Sequence, residues 1–255
     1  DRAVEDSRMM IRMALNLLII LIPLQIVIGD LHGLNTLEHQ PAKIAAMEGL
    51  YDTAQPMPLT LFGIPDDEAA TMRYPIEIPN LGSLILTHSW DGAVKGLKEW
   101  PANERAPVAL PFFSFRIMVG IGFVMLFIAV AGQILQLRGR LWDSIWFLRL
   151  CPWAAPLGFI AVIAGWVVTE VGRQPWTVYG LMRTADSVSP SLTGADVALS
   201  LAFYIVVYLI MFPTGIAFMA GLVRRGPQPQ AASERVESGL PSGPFKGATR
   251  TASDS

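Results

Sequence analysis

Four long apolar runs, roughly Met9 to Ile28, Ile117 to Leu135, Cys151 to Thr169 and Val197 to Val223, constrain the fold of this chain more than any other feature. Crossing the hydrocarbon core of a bilayer takes about 20 residues of helix. Inside lipid every backbone amide must be paired within its own segment, which favours helices. The runs therefore predict an all-α integral membrane protein, a bundle of four transmembrane helices. Composition agrees, since 52% of the residues are hydrophobic and only 16% are charged, too apolar for most soluble domains. The net charge is −2 and no basic block is interleaved with aromatics, so nothing points to a nucleic-acid partner. The single cysteine, Cys151, excludes an internal disulfide framework and a cysteine metal cluster. No small-residue cleavage site follows the first run, so it reads as a span and not as a signal peptide.

Asn16, Pro23 and Gln25 interrupt the first run. Such residues are tolerated in a membrane where they face protein or a cavity, so this helix is expected to pack inside the bundle. Arginines gather at Arg2, Arg8 and Arg12, at Arg138, Arg140 and Arg149, and at Arg224 and Arg225. These are alternate connections of a four-span chain, and the positive-inside rule assigns them to the cytoplasm. Residues 1–29 then form a cytoplasmic N-terminus and the first span, 30–111 an external loop, 112–223 three further spans and 224–255 a cytoplasmic tail. From Asp30 to Leu110 there are eleven acidic residues against five basic ones, which suits an outer face. Within that loop, "PAKIAAMEGLYD" (Pro41 to Asp52) opens with a proline suited to a first helical turn and continues with good helix formers. The tail, rich in Pro, Ser, Gly and Ala, reads as disordered.

Three stretches could carry chemistry. In "GWVVTEVGRQPW" (Gly165 to Trp176), Trp166 and Glu170 are four residues apart and Arg173 three further, so a continuing helix aligns an indole, a carboxylate and a guanidinium. An interfacial ion pair with an aromatic anchor is the ordinary explanation. A carboxylate that ligates a metal or relays protons is the functional one. In "FSFRIMVGIGF" (Phe113 to Phe123), Arg116 stands two residues before Met118, and Gly120 and Gly122 remove side chains just below. A thioether can ligate haem iron, an arginine can pair with a propionate and glycines admit a flat macrocycle. Methionine as packing and glycine as a helix contact are the commoner uses. In "QPAKIAAMEG" (Gln40 to Gly49), Lys43 and Glu48 fit a solvated amphipathic helix. His32, His39 and His88 all lie in the same outer segment, at spacings that match no zinc signature.

Together with "VIGDLHG" (Val27 to Gly33), "LTLFGIPD" (Leu59 to Asp66) and "GLKE" (Gly96 to Glu99), these blocks resemble, in order and spacing, the C-terminal half of subunit I of the cytochrome bd family of quinol:oxygen oxidoreductases. The resemblance runs from about residue 9 to 223. It implies that Met118 is an axial ligand of a low-spin b-type haem, with Arg116 beside it, and that Glu170 ligates a high-spin b-type haem near the oxygen-reducing haem, which is haem d or a further haem b. It suggests Trp166 as a residue between haems and Arg173 as a propionate partner. Lys43 and Glu48 correspond to the lysine and glutamate of a quinol-binding Q-loop, with ubiquinol or menaquinol as substrate. At about 80 residues the loop resembles the short Q-loop branch that includes cyanide-insensitive oxidases. The implied setting is a bacterial cytoplasmic (inner) membrane, with the loop on the outer face and subunit II as partner.

The family's N-terminal half carries further spans and the histidine ligands of two haems, and every histidine here lies in the outer segment. The chain is therefore expected to be a fragment whose haem sites need the missing N-terminal half of subunit I. Two other readings stand beside this one: a haem-free remnant or assembly partner, and a transporter-like bundle relaying protons through Glu170. No repeated halves favour the latter.

Overall fold

The computed structural model describes residues 2–226, so the predicted tail lies almost wholly outside them. It divides into two compact units, Asp1–Ser189 and Pro190–Ser255. Among the described residues four helices are long and apolar enough to span a membrane: Val4–His39, Ala109–Leu137, Ile145–Gly172 and Gly194–Arg225.

In the first unit, helix α1 (Arg2–His39) runs 38 residues without a break, a rise of roughly 57 Å. It continues well into the segment read as external loop. One face of α1 packs on α4 (Ala109–Leu137). There Leu15 is buried with Ile128, Leu141 and Phe147, and the Asn16 side-chain oxygen accepts a hydrogen bond from Gln136 at 3.1 Å. The polar residue is thus paired against protein, as its place in an apolar run requires. The third span is broken into α5 (Ile145–Ala154) and α6 (Leu157–Gly172). Pro156 stands at the break, lacking an N–H and crowding the carbonyl one turn back.

The loop is ordered and partly β. Helix α2 (Pro41–Glu48) is followed by strands β1 (Leu59–Asp66) and β2 (Thr71–Ile78), paired antiparallel, and by the short helix α3 (Leu81–Thr87). The Asp66 carboxylate accepts from the Ala69 N–H at 3.0 Å and pairs with Arg73, closing the turn. These contacts, the Ala69 bond first, hold Asp66 below the usual carboxylate range. This hairpin was not among the elements expected of the loop, though the fold is mostly helical as expected. A smaller one, β3 (Trp176–Val178) with β4 (Met182–Arg183), follows α6.

The second unit contains α7 (Gly194–Arg225). A capping box starts it: the Thr193 hydroxyl accepts from the Asp196 N–H while the Asp196 carboxylate accepts from the Thr193 N–H. Arg224 and Arg225 close its last turn, where positive charge suits the helix dipole.

Candidate functional site

Helix α2 organises the site. Six of its eight residues, Ala42, Ile44, Ala45, Ala46, Met47 and Glu48, are buried, so the solvated amphipathic helix suggested by its sequence is not what forms. Ala45 and Ala46 pack with Phe112 of α4 in one apolar cluster, and Ile44 and Met47 pack with Val168 of α6 in another. Small side chains let α2 lie close against both helices. Gly49 ends it with φ of 69°, where a side chain is strained. A Cβ there would also stand 2.8 Å from the Phe112 ring.

On one side α2 carries Glu48, whose side chain is only 4% exposed. Its partner is Arg116 of α4, with 3.4 Å between Nη2 and Oε2. The same guanidinium donates to the Met47 carbonyl at 2.9 Å, the Phe112 carbonyl at 3.1 Å and, from Nε, the Thr60 carbonyl at 2.9 Å. Nη2 also reaches the Thr60 carbonyl. A guanidinium has five N–H donors, and these five contacts use all of them. In this arrangement Arg116, expected from sequence to stand beside a haem, ties α2 and β1 to α4. Burial pushes the Glu48 carboxyl above its ordinary range, and the Arg116 charge offsets this only in part.

The other side of α2 carries Lys43, which lies against the end of α6. A Cβ built on Gly172 would meet the Lys43 side chain at 3.3 Å. There Glu170 and Arg173 form an ion pair at 2.5 Å, their side chains 37% and 42% exposed. The pair uses Oε2 of Glu170, and Oε1 has no hydrogen bond among the described residues. Lys43 is pushed below its ordinary range by burial and then by the Arg173 charge, with Glu170 acting the other way. A cavity of about 190 Å³ opens here, lined by Lys43 and Arg173 with Gln40, Thr169, Trp176 and Tyr179. Gln40, Trp176 and Tyr179 were not singled out from sequence, although Gln40 and Trp176 fall inside the quoted motif blocks.

Met118 stands on the α4 face that meets α6. A Cβ on Gly165 would lie 2.9 Å from its sulfur, so the glycine makes room for the thioether. Nothing lies within 4 Å of a Cβ at Gly120 or Gly122, which leaves that part of α4 open to a flat group. Trp166 is 64% exposed and lies one helical turn before Glu170 on α6. A thioether, a carboxylate oxygen without a hydrogen bond and an open glycine surface fit two of the iron ligands that two haems require. Two histidines have partners of their own: His39 Nδ1 is 3.0 Å from the Asn35 carbonyl and His88 is 3.2 Å from Asp30. Among the described residues no cluster of three or more His, Cys, Asp or Glu side chains could hold a metal.

The remaining loop contacts keep α2 in place. The Tyr51 hydroxyl donates to Asp67 at 2.6 Å, Lys98 pairs with Asp52 at 2.8 Å and the Thr53 hydroxyl donates to Glu99 at 2.7 Å. Arg183 of the second hairpin reaches Glu104 at 3.5 Å, joining the loop to the connection that follows α6.

Comparison with known proteins adds an independent line. The family model described as cytochrome bd terminal oxidase subunit I matches residues 2–227. The chain is 38% identical over 193 residues to the Bacillus subtilis cytochrome bd ubiquinol oxidase subunit 1, covering 72% of this chain and 41% of that one. It is 27% identical over 276 residues to the Escherichia coli cytochrome bd-II ubiquinol oxidase subunit 1, covering 82% and 54%. That alignment is longer than this whole chain, so the E. coli relative carries additional residues within the matched region. The structure of bd oxidase from Geobacillus thermodenitrificans matches with a TM-score of 0.68 at 31% identity, over 82% of this chain and 48% of that one. The chain thus spans about half the length of the relatives it matches.

Proposed function

The chain belongs to the cytochrome bd terminal oxidase subunit I family, and on that premise we propose that it forms the quinol-oxidising face and part of the haem framework of a quinol:oxygen oxidoreductase in a bacterial inner membrane. The observation that carries this reading is the position of α2. It brings Lys43 and Glu48, from the loop, against α6 and α4, the helices that bear Glu170 and Met118. In this reading the quinol site and the two haem ligands would lie on adjoining elements.

Oxidising a quinol to a quinone releases two protons and two electrons. A carboxylate raised above its ordinary range takes up a proton from a quinol hydroxyl more readily than an exposed glutamate does. Glu48 is that acceptor, with Arg116 keeping its carboxylate oriented. Lys43, with its affinity for a proton lowered, donates a hydrogen bond to a quinol oxygen from the other end of α2. In this reading Met118 would hold a low-spin b-type haem and Glu170 a high-spin b-type haem, with Arg173 towards a propionate and Trp166 between haems. When bound, haem supplies the one-electron redox chemistry that links quinol oxidation to reduction of oxygen to water. The remaining ligands, the oxygen-site haem and subunit II come from the rest of the complex. With the loop outside, quinol protons leave to the outer face and the protons of water come from the cytoplasm, so turnover contributes to the proton motive force.

The test uses the complete complex. Lys43→Ala and Glu48→Ala are expected to lower quinol turnover with haem content intact. Met118→Leu and Glu170→Gln are expected to change the low-spin and high-spin haem spectra respectively. Unaltered spectra in both ligand variants, or equal loss of activity in the loop variants with an artificial reductant that bypasses quinol, would overturn the assignment.

A further inference from the structure

At the end of the first unit remote from the loop, Arg8 and Arg12 stand four residues apart on α1 and share one face. Their guanidinium carbons lie 5.1 and 5.5 Å from the centre of the Trp142 ring. Trp142 sits in the turn between α4 and α5, and its apolar body packs on the cluster of Leu15, Ile128, Leu141 and Phe147. One anchored indole thus holds two exposed cations together. Among the described residues neither arginine has an ion pair, and nor do Arg138, Arg140 and Arg149 of the adjoining segments. Glu5, Asp6 and Asp143, the acidic residues of these segments, are exposed and form no salt bridge with them.

Two guanidiniums over one ring repel each other, and an anion between them removes the repulsion. Their planar forks match phosphate oxygens in particular. Roughly 47 Å of helix separates Arg8 from the loop end of α1 at His39, more than the thickness of the hydrocarbon core. The arginines therefore stand at the opposite water–lipid boundary, where tryptophan is also favoured. Met9, Met10 and Met13 beside them are 63%, 69% and 65% exposed, an apolar surface that suits acyl chains and not a free ion.

We propose that Arg8, Arg12 and Trp142 form a binding site for the phosphate headgroup of an anionic phospholipid. It is independent of the quinol and haem assignments. Basic side chains at a membrane surface each strengthen anionic-lipid binding by about fivefold, so removal of both arginines should weaken it roughly twentyfold or more.

The experiment uses the complete, delipidated complex in neutral detergent, with bound lipid counted by native mass spectrometry and thermal unfolding followed in parallel. Phosphatidylglycerol is expected to bind and raise the melting temperature, whereas phosphatidylcholine and inorganic phosphate are not. Arg8→Gln/Arg12→Gln and Trp142→Leu should both lose that lipid, and Arg8→Lys/Arg12→Lys should keep only part of the affinity because ammonium lacks the planar fork. Arg224→Gln/Arg225→Gln removes equal charge from α7 and should leave binding intact. Equal binding of phosphatidylcholine, equal stabilisation by phosphate alone, or equal loss in the α7 variant would each overturn the site. If the double glutamine variant fails to assemble, the Trp142→Leu and lysine variants decide.

Discussion

Arg116→Leu tests whether the loop is held to the membrane helices by one side chain. Leucine keeps much of the apolar stem but removes every donor. The Met47 carbonyl lies in the last turn of α2, where helix carbonyls have no partner within the helix, and it loses its Arg116 contact at 2.9 Å. The Thr60 carbonyl loses another at 2.9 Å. Hydrogen bonds from a charged donor contribute about 1.5–3 kcal/mol each. Leaving a buried carboxylate without its cation costs about 3–5 kcal/mol, though Glu48 escapes much of that by taking up a proton. A total of about 3–6 kcal/mol follows, borne by docking of the loop and not by the spans. In the complete complex, amide exchange across residues 41–49 and 59–62 should accelerate by about 10²- to 10⁴-fold, with residues 120–135 unchanged. Glu48→Gln on the same background should recover part of the loss, giving a coupling of about 1–3 kcal/mol in a double-mutant cycle. Unchanged protection in Arg116→Leu, or strict additivity in the cycle, would refute the tie.

Glu48 should also give the loop a pH dependence. Its folded value lies above the ordinary 4.5, so its contribution is full below that value and is lost as pH rises through the folded one. Glu48→Gln should flatten this fall, read as loop exchange rates corrected for intrinsic chemistry between pH 5 and 8; an unchanged slope would assign it to other groups. Gly96→Ala should loosen the loop, because the new Cβ would stand 2.3 Å from the Asp52 carbonyl carbon and 2.6 Å from the Thr53 nitrogen, rigid backbone that has little room to yield. Overpacking of this kind costs about 1–3 kcal/mol or more, measurable as proteolytic cleavage of the loop at lower denaturant; wild-type resistance would show that the backbone can move aside.

Apolar length alone made the four candidate spans legible, because lipid leaves few alternatives for the backbone. The loop was less legible. Its α2 helix was readable from Pro41 and the alanines that follow, but its burial was not, since small residues suit both a solvated surface and a close helix contact. The β1–β2 hairpin depends on Asp66 capping its own turn and on pairing across it, and its strands read as neither clean alternation nor a long apolar run. The Arg116 contacts were hidden for another reason. Their acceptors are mostly main-chain carbonyls, which carry no residue signature, so sequence could offer only a propionate as partner. Resemblance to a family supplied the set Lys43, Glu48, Met118 and Glu170, and the fold supplied the reason that the helices carrying them pack together.

That reason turns on two glycines of α6. Gly165 and Gly172 are seven residues apart, two turns on one face of the helix. One accommodates the Met118 sulfur, 2.9 Å from where its Cβ would be, and the other accommodates the Lys43 side chain at 3.3 Å. The same helix thus sets the position of a proposed haem ligand and of a proposed quinol-binding residue through separate contacts. The two should be separable by adding one methyl group at a time. Gly165→Ala pushes on the thioether and is expected to alter the low-spin haem spectrum of the complete complex. Gly172→Ala pushes only on the flexible methylenes of Lys43 and should raise the KM for quinol by a few-fold with the spectrum unchanged. If Gly165→Ala leaves the spectrum as in wild type, Met118 is free to move away and its place against α6 does not position it as a ligand. If Gly172→Ala changes the spectrum as much as Gly165→Ala does, the contacts are not separate and α6 responds as one rigid unit.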